Sequence, residues 1–298
     1  MLINDIIDFC DKKYITFGDK CGCGHCNHPS GSCSGSCYDC LYQIHYPNSS
    51  AVQKLEYDCP KMIYHYVCQY STRYASEILY AFNHEAHFLS QFQQYNIMSI
   101  GCGACADLMA FEMYYDENAC CQPVSYSGYD VNPLWKPVHN RIARYCDSNS
   151  ISRKFFEVDA IDYFQKFYND STNIIVISYL ISYLYNTTHK NDILQFFDLL
   201  IDNVIKRNGS PKIIIFNDVN SCYRGRDYFP QFIKKLEKNN LHGSYSSMYF
   251  DTGNLNSFQK VGSAHSSCLP FFSTNAELTR RYHIDGSCRS AQMIVEVK

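Results

Sequence analysis

From Asn96 onward the chain alternates between short apolar runs and longer amphipathic ones, and few architectures accept that pattern. NIMSI (96–100), VSYSGYD (124–130), KFFEV (154–158), NIIVIS (173–178), KIIIFND (212–218), SSMYF (246–250) and AQMIVEV (291–297) read as strands. Helical spacing fills 104–115, 134–147 and 191–207 between them. Asn208 and Gly209 form an αL-capable stop to the last of these helices, and Pro211 blocks its continuation. Strands alternating with helices predict an α/β fold, with a mostly parallel sheet covered by helices on both faces.

The front of the chain reads differently. Residues 1–12 predict a short helix, and residues 14–60 are rich in Gly, Ser, Asn, Pro and Cys with little apolar periodicity, which predicts loop. Ile63, Tyr66, Val67, Tyr70, Tyr74, Ile78, Leu79 and Phe82 then recur at helical spacing. The chain therefore divides into a cysteine-rich module, 1–61, and a core, 62–298, that opens with a covering helix.

Within that core, SIGCGACADLMA follows the first strand and opens a helix. Gly101, Gly103 and Ala106 satisfy G-x-G-x-x-A, where the backbone turns sharply and a ligand approaches without meeting a Cβ. Asp130 ends the next strand, where a carboxylate can accept both hydroxyls of a ribose. Strand, glycine turn, helix, strand and acid together fit two nucleotide classes: the dinucleotides NAD and FAD, or S-adenosylmethionine. Nothing recognisable as a hydride-transfer site accompanies them, which weighs against a dinucleotide.

These residues resemble the class I S-adenosylmethionine-dependent methyltransferases over roughly 62–298. SIGCG is similar to that family's first motif, GYD to its second, FEVDA (156–160) to its third and IIVISYLISYL (174–184) to its fourth. The resemblance implies a seven-stranded Rossmann-like sheet whose last strand is antiparallel. It implies S-adenosylmethionine as cofactor, with Gly101, Cys102 and Gly103 as its cradle and Asp130 on the ribose. Asp159 and Ala160 would meet the adenine, and Ser178 would lie beneath the methyl donor. A preceding helix would bring Arg73 to the donor's carboxylate, with Tyr70 beside it. Three departures stand out. Ser99 occupies a position that is often acidic, Cys105 replaces the third glycine, and no Asn-Pro-Pro-Tyr segment of base amino-methylating enzymes is present.

Methyl transfer requires an acceptor held in line with the S–CH₃ bond. Open α/β sheets bind their ligands beyond the C-terminal ends of the strands. Tyr179 there would orient a substrate, Asn217 and Asp218 would bind its polar groups, and Asp218 would be a candidate base. The competing reading is that a strand-end Asn or Asp only caps the following loop. Arg224 and Arg226, just beyond, would bind an anion or simply face solvent.

The densest chemistry lies earlier. CGCGHCNHPSGSCSGSCYDC (21–40) places six cysteines in twenty residues. Cys23-x-x-Cys26 and Cys37-x-x-Cys40 form two knuckles that would close a tetrahedral zinc site and give a loop-rich segment its fold. Cys21 and Cys33 remain as substitute ligands or as parts of a two-zinc cluster. Cys33-x₃-Cys37-x₂-Cys40 also has an iron–sulfur spacing similar to that of radical S-adenosylmethionine enzymes. CGHC occurs in disulfide exchangers too, but that chemistry wants a helix start behind a strand, which is not predicted here.

No signal-peptide pattern and no long apolar run are visible, so the expectation is a cytoplasmic chain, off the membrane, whose seventeen cysteines are thiols or metal ligands. Net charge is −3, and residues 1–95 hold six basic against nine acidic side chains. That balance weighs against tight non-specific nucleic-acid binding. By analogy of layout, a metal knuckle ahead of such a core points to a structured RNA acceptor. The acidic balance points instead to a small molecule or a protein. A non-catalytic scaffold that only binds S-adenosylmethionine is the alternative from another class.

Overall fold

The structure is a computed structural model that describes residues 1–18, 36–46, 57–169, 171–187, 190–207, 209–221 and 225–298. Among these residues the strands form one sheet: β1 (Tyr95–Ile100), β2 (Val124–Asp130), β3 (Ser152–Glu157), β4 (Ile174–Ser178), β5 (Lys212–Val219), β6 (Gly243–Tyr249), β7 (Ser263–Ala264) and β8 (Ser290–Val297). Their order is β3-β2-β1-β4-β5-β8-β6-β7. The first five run parallel, and β8 is antiparallel to both β5 and β6. The order reverses between β1 and β4, which opens a crevice at the strands' C-terminal ends.

The helices are α1 (Leu2–Thr16), α2 (Cys37–His45), α3 (Pro60–His84), α4 (Ala86–Leu89), α5 (Ala106–Glu117), α6 (Lys136–Ser148), α7 (Ala160–Lys166), α8 (Leu180–Asn186), α9 (Ile193–Leu200), α10 (Phe229–Lys238) and α11 (Ala276–Tyr282). They cover both faces. Period-two alternation along the central strands feeds two apolar layers. Ile97, Ile174, Val176, Ile213 and Ile215 pack with α1, α3, α5 and α6 on one side. Met98, Ile100, Ile175, Ile177, Ile214 and Phe216 pack with α7 to α10 on the other. Burial on both faces is why β4 and β5 read as continuous apolar runs.

Two expectations are corrected. The sheet has eight strands rather than seven, because two residues, Ser263 and Ala264, pair parallel with β6 at the edge. Too short to carry a period, that strand exists only by its partner. The predicted loop 14–60 contains α2, started by a capping box: the Ser36 hydroxyl accepts from the Asp39 amide at 3.2 Å, and Asp39 accepts from the Ser36 amide at 3.3 Å. Cys37, Leu41 and Ile44 bury that helix against Cys59 and Met62 at the start of α3. The N-terminal helix also runs longer than predicted, and its Leu2, Ile3, Ile6, Ile7 and Cys10 join the layer under α3. Among the described residues no helix is long and apolar enough to cross a membrane.

Candidate functional site

The crevice above β1, β2 and β4 holds the cavity around which eight of the twelve sequence-predicted cofactor and catalytic residues gather. After β1 the backbone enters the left-handed region at Gly101 (φ 67°), Gly103 (φ 45°) and Cys105 (φ 57°). The amides of Gly101 and Cys102 donate to the Tyr129 carbonyl at 2.8 and 3.0 Å, tying the turn to β2. Glycine is favoured at position 101 by conformation, and a Cβ, 3.1 Å from the Leu180 side chain, would also have to displace it slightly. Asp130 faces the same turn. One of its oxygens accepts from the Gly103 amide at 2.9 Å and the other from the Asn132 amide at 2.9 Å. Burial raises its pKa, and those two amides and His139 work against the rise. Each oxygen keeps a further lone pair for a ligand.

Asp159 and Ala160 line the cavity next along the crevice, with Val131, Val158 and Ile161 as apolar neighbours. Asp159 caps α7, accepting from the amides of Ile161 and Asp162 at 2.8 and 3.1 Å. Ser178 and Tyr179 line it from the end of β4. Arg73 reaches it from α3, with its guanidinium 5.2 and 5.0 Å from the ring centroids of Tyr70 and Tyr74. It also donates to Asp285 at 3.2 Å. Tyr70 stands beside Arg73 but does not line the cavity.

Tyr179 occupies the left-handed region (φ 55°), a strained place for a large side chain, at the junction of β4 and α8. Its ring stacks on Tyr74 at 4.1 Å, and its hydroxyl donates to Glu77 at 2.9 Å. Burial and the Glu77 carboxylate push its phenol well above the ordinary range.

Asn217 and Asp218 turn out to be buried beneath the site, not in it. Asn217 donates to Glu77 and Ser178 at 3.1 and 3.2 Å, and accepts from Ser290 and Gln292 at 2.6 and 3.0 Å. Asp218 accepts from the Ser182 amide at 3.1 Å at the start of α8 and from the Val219 amide at 2.6 Å, with burial pushing its carboxyl up to about 6. A Cβ at Gly225 would come within 2.3 Å of it, so the following turn closes over this carboxylate. Cys102 likewise turns its side chain away from the cavity, toward His139 at 3.7 Å. Arg226 is buried rather than solvated, and donates to Asn220 at 2.7 Å and to the Phe258 carbonyl. Arg224 lies outside the described residues, as do Cys21, Cys23, Cys26 and Cys33. Cys37 and Cys40 share the first turn of α2, the former buried and the latter half-buried.

Several participants escaped the sequence reading. Glu77, wholly buried, accepts from Tyr179, from Asn217 and from the backbone amides of Arg289 and Ser290 at 2.9 and 3.3 Å. Its one legible signal was its place four residues after Arg73. His45, Tyr57, Tyr66, Trp135 and Tyr183 complete an aromatic wall, and His45 accepts or donates a 2.9 Å hydrogen bond with Tyr57. Burial, followed by the nearby Arg73, lowers the His45 pKa to about 4.

No protein-family model matches the chain, and no curated protein matches it in sequence. Solved structures do match. One from Listeria monocytogenes, described as a class I S-adenosylmethionine-dependent methyltransferase, is 10% identical with a TM-score of 0.51, covering 99% of this chain and 88% of that one. The plantazolicin methyltransferase BpumL in complex with S-adenosylhomocysteine is 11% identical with a TM-score of 0.43, covering 100% and 99%. The bifunctional kinase-methyltransferase WbdD is 10% identical with a TM-score of 0.43, covering 76% of this chain and only 40% of its own, so the chain spans less than half of that protein. The likeness to the Listeria structure establishes the fold: a Rossmann-like α/β sheet with helices on both faces.

Proposed function

We propose that this protein is an S-adenosylmethionine-dependent methyltransferase acting on a small organic acceptor. The observation that carries the reading is convergence. Arg73, the Gly101–Gly103 turn, Asp130, Asp159 and Tyr179 come from five separate segments and line one cavity. The residues fit the cofactor. The turn leaves open backbone where a pyrophosphate-free nucleoside would approach, Asp130 keeps lone pairs for a ribose diol, and Arg73 offers a cation for a carboxylate. When bound, S-adenosylmethionine supplies an electrophilic methyl carbon on sulfur.

The chain's own residues then bind, orient and exclude water. Tyr74 and Tyr179 present aromatic faces to the cavity beside Arg73. The Tyr179 hydroxyl donates its hydrogen bond to Glu77, so its lone pairs would accept from an acceptor's N–H or O–H. Its raised pKa makes it an orienting group rather than a base. Asn217 and Asp218 act through others: the Asn217 carbonyl accepts from the Tyr179 amide at 2.8 Å, and Asp218 anchors α8. The wall of His45, Tyr57, Tyr66 and Tyr183 suits a flat or cationic acceptor, by stacking or by cation–π attraction. An RNA acceptor would have to extrude a base into this tyrosine-lined space.

The reading includes a structural zinc held by Cys23, Cys26, Cys37 and Cys40, and what supports it is that Cys37 and Cys40 lie three apart on a helix and so share a face. Calorimetric titration with S-adenosylmethionine and S-adenosylhomocysteine, followed by a radiolabelled methyl-transfer screen of aromatic and amine acceptors against structured RNA, tests the function. Micromolar binding and transfer to a small molecule are expected. No binding by folded protein would sink the reading, transfer only to RNA would reverse the acceptor assignment, and binding without transfer would favour the scaffold.

A further inference from the structure

The glycine-rich turn has a second side. Its residues Cys102-Gly-Ala-Cys105 form another C-x-x-C, and unlike the front knuckles this one stands at a helix start directly behind a strand. The Cys105 amide donates to the Cys102 carbonyl at 2.7 Å, which folds the two thiols to one side of the turn. His139, on α6, meets them there: its Nε2 is 3.7 Å from the Cys102 sulfur, and the ligand atoms of all three residues lie within 4.8 Å of one another. The imidazole is stacked flat on Phe155 at 4.4 Å and 9°, which fixes its plane. Gly128 on β2 makes the room, since a Cβ there would come within 2.9 Å of the Cys102 sulfur.

The Cys102–His139 spacing is close to that of a coordination shell. Zinc–sulfur and zinc–nitrogen bonds of about 2.3 and 2.0 Å at a tetrahedral angle put sulfur and nitrogen about 3.5 Å apart. The Gly103 carbonyl oxygen lies beside the group, 2.8 Å from His139 Nε2 and 3.9 Å from the Cys105 sulfur. Close by in sequence and fully buried, Asp107 accepts from the Tyr126 hydroxyl with one oxygen, while its other oxygen has no hydrogen-bond partner among the described residues.

We propose that Cys102, Cys105 and His139 form a zinc-binding site beneath the cofactor turn, separate from the front cysteine cluster. Binding releases both thiol protons to solvent, two thiolates and one imidazole nitrogen take the ion, and a carbonyl or a water fills the fourth position. The imidazole proton moves to Nδ1, so the Nε2–H···O bond to Gly103 is exchanged for the metal bond. Thiolates and imidazole together select zinc over hard cations. The ion would fasten the turn to α6 through side chains from two separate elements.

The test uses the full chain, reduced, stripped with a chelator and titrated with zinc chloride against a chromophoric chelator, then with cobalt(II) to read thiolate charge-transfer bands. The C37S/C40S variant should keep one tight equivalent and a two-thiolate cobalt spectrum. C102S/C105S should lose one equivalent relative to the unsubstituted chain. H139Q, which spares both thiols and guards against misfolding of the double variant, should bind that equivalent at least about tenfold more weakly. Unchanged stoichiometry and affinity in folded C102S/C105S and H139Q would overturn the site. So would a Cys102–Cys105 disulfide, found by mass spectrometry in metal-free protein that takes up no zinc at this pair after reduction.

Discussion

At the scale of single residues, Asp130 and His45 carry separable tests. Asp130 holds the turn through the Gly103 amide and faces the cavity with its remaining lone pairs. A hydrogen bond to a charged group contributes about 1.5–3 kcal/mol, so D130A should weaken S-adenosylhomocysteine binding by roughly 10- to 100-fold by calorimetry. His45 is held neutral in the folded chain, with a pKa of about 4 against an ordinary 6.5. Between those values the unfolded chain binds a proton that the folded chain does not, so stability rises with pH across that window. The contribution is complete above about 6.5 and lost as pH falls toward 4. The melting temperature of H45N should therefore fall less steeply than that of the unsubstituted chain from pH 6.5 to 4. Parallel curves would contradict it. Asp130 was legible because a strand-end acid after a glycine turn has few other reasons to recur there. His45 was not, because its role depends on tyrosines brought from α3 and from residue 57.

At the scale of elements, Glu77 joins α3 to three strands. It accepts from Tyr179 after β4, from Asn217 on β5, and from the Arg289 and Ser290 amides at the start of β8. Removing the carboxylate strands four donors in the interior. E77A should cost about 3–5 kcal/mol in chemical denaturation, the range for breaking a buried, fully bonded charge. E77Q, which keeps the shape and an acceptor, should cost less. Equal stability of E77A and the native chain would remove this hub from the account. The helical period of α3 was plain in the sequence, and Glu77 was not, since a charge on a helix is ordinarily exposed. Asn217 and Asp218 misled for a related reason. Strand-end polar residues can face a ligand or the packing below it, and only the closure of Gly225 over Asp218 decides which.

For the whole molecule, the cavity is assembled from α2, α3 and the ends of β1, β2 and β4, so filling it should brace both halves of the sheet. S-adenosylhomocysteine at 100 times its Kd should add about 2.7 kcal/mol. Melting temperature should rise by several degrees, on the order of 2–4 °C per kcal/mol for a large domain. D130A at the same ligand concentration should lose most of that rise. A shift that D130A leaves intact would mean the ligand binds elsewhere.

The sequence by itself determined the alternation of strands and helices, the glycine turn, the acid at the end of β2 and the thiol spacings, because each is local: a period, a dihedral demand or a reach of a few residues. Tertiary structure alone decided which polar groups face the cavity and which are buried beneath it. It bent Cys102 and Cys105 toward His139, stacked Tyr179 on Tyr74, and placed the two-residue edge strand against β6. These contacts join segments far apart in the chain, and their energies come from burial and pairing that no single segment holds.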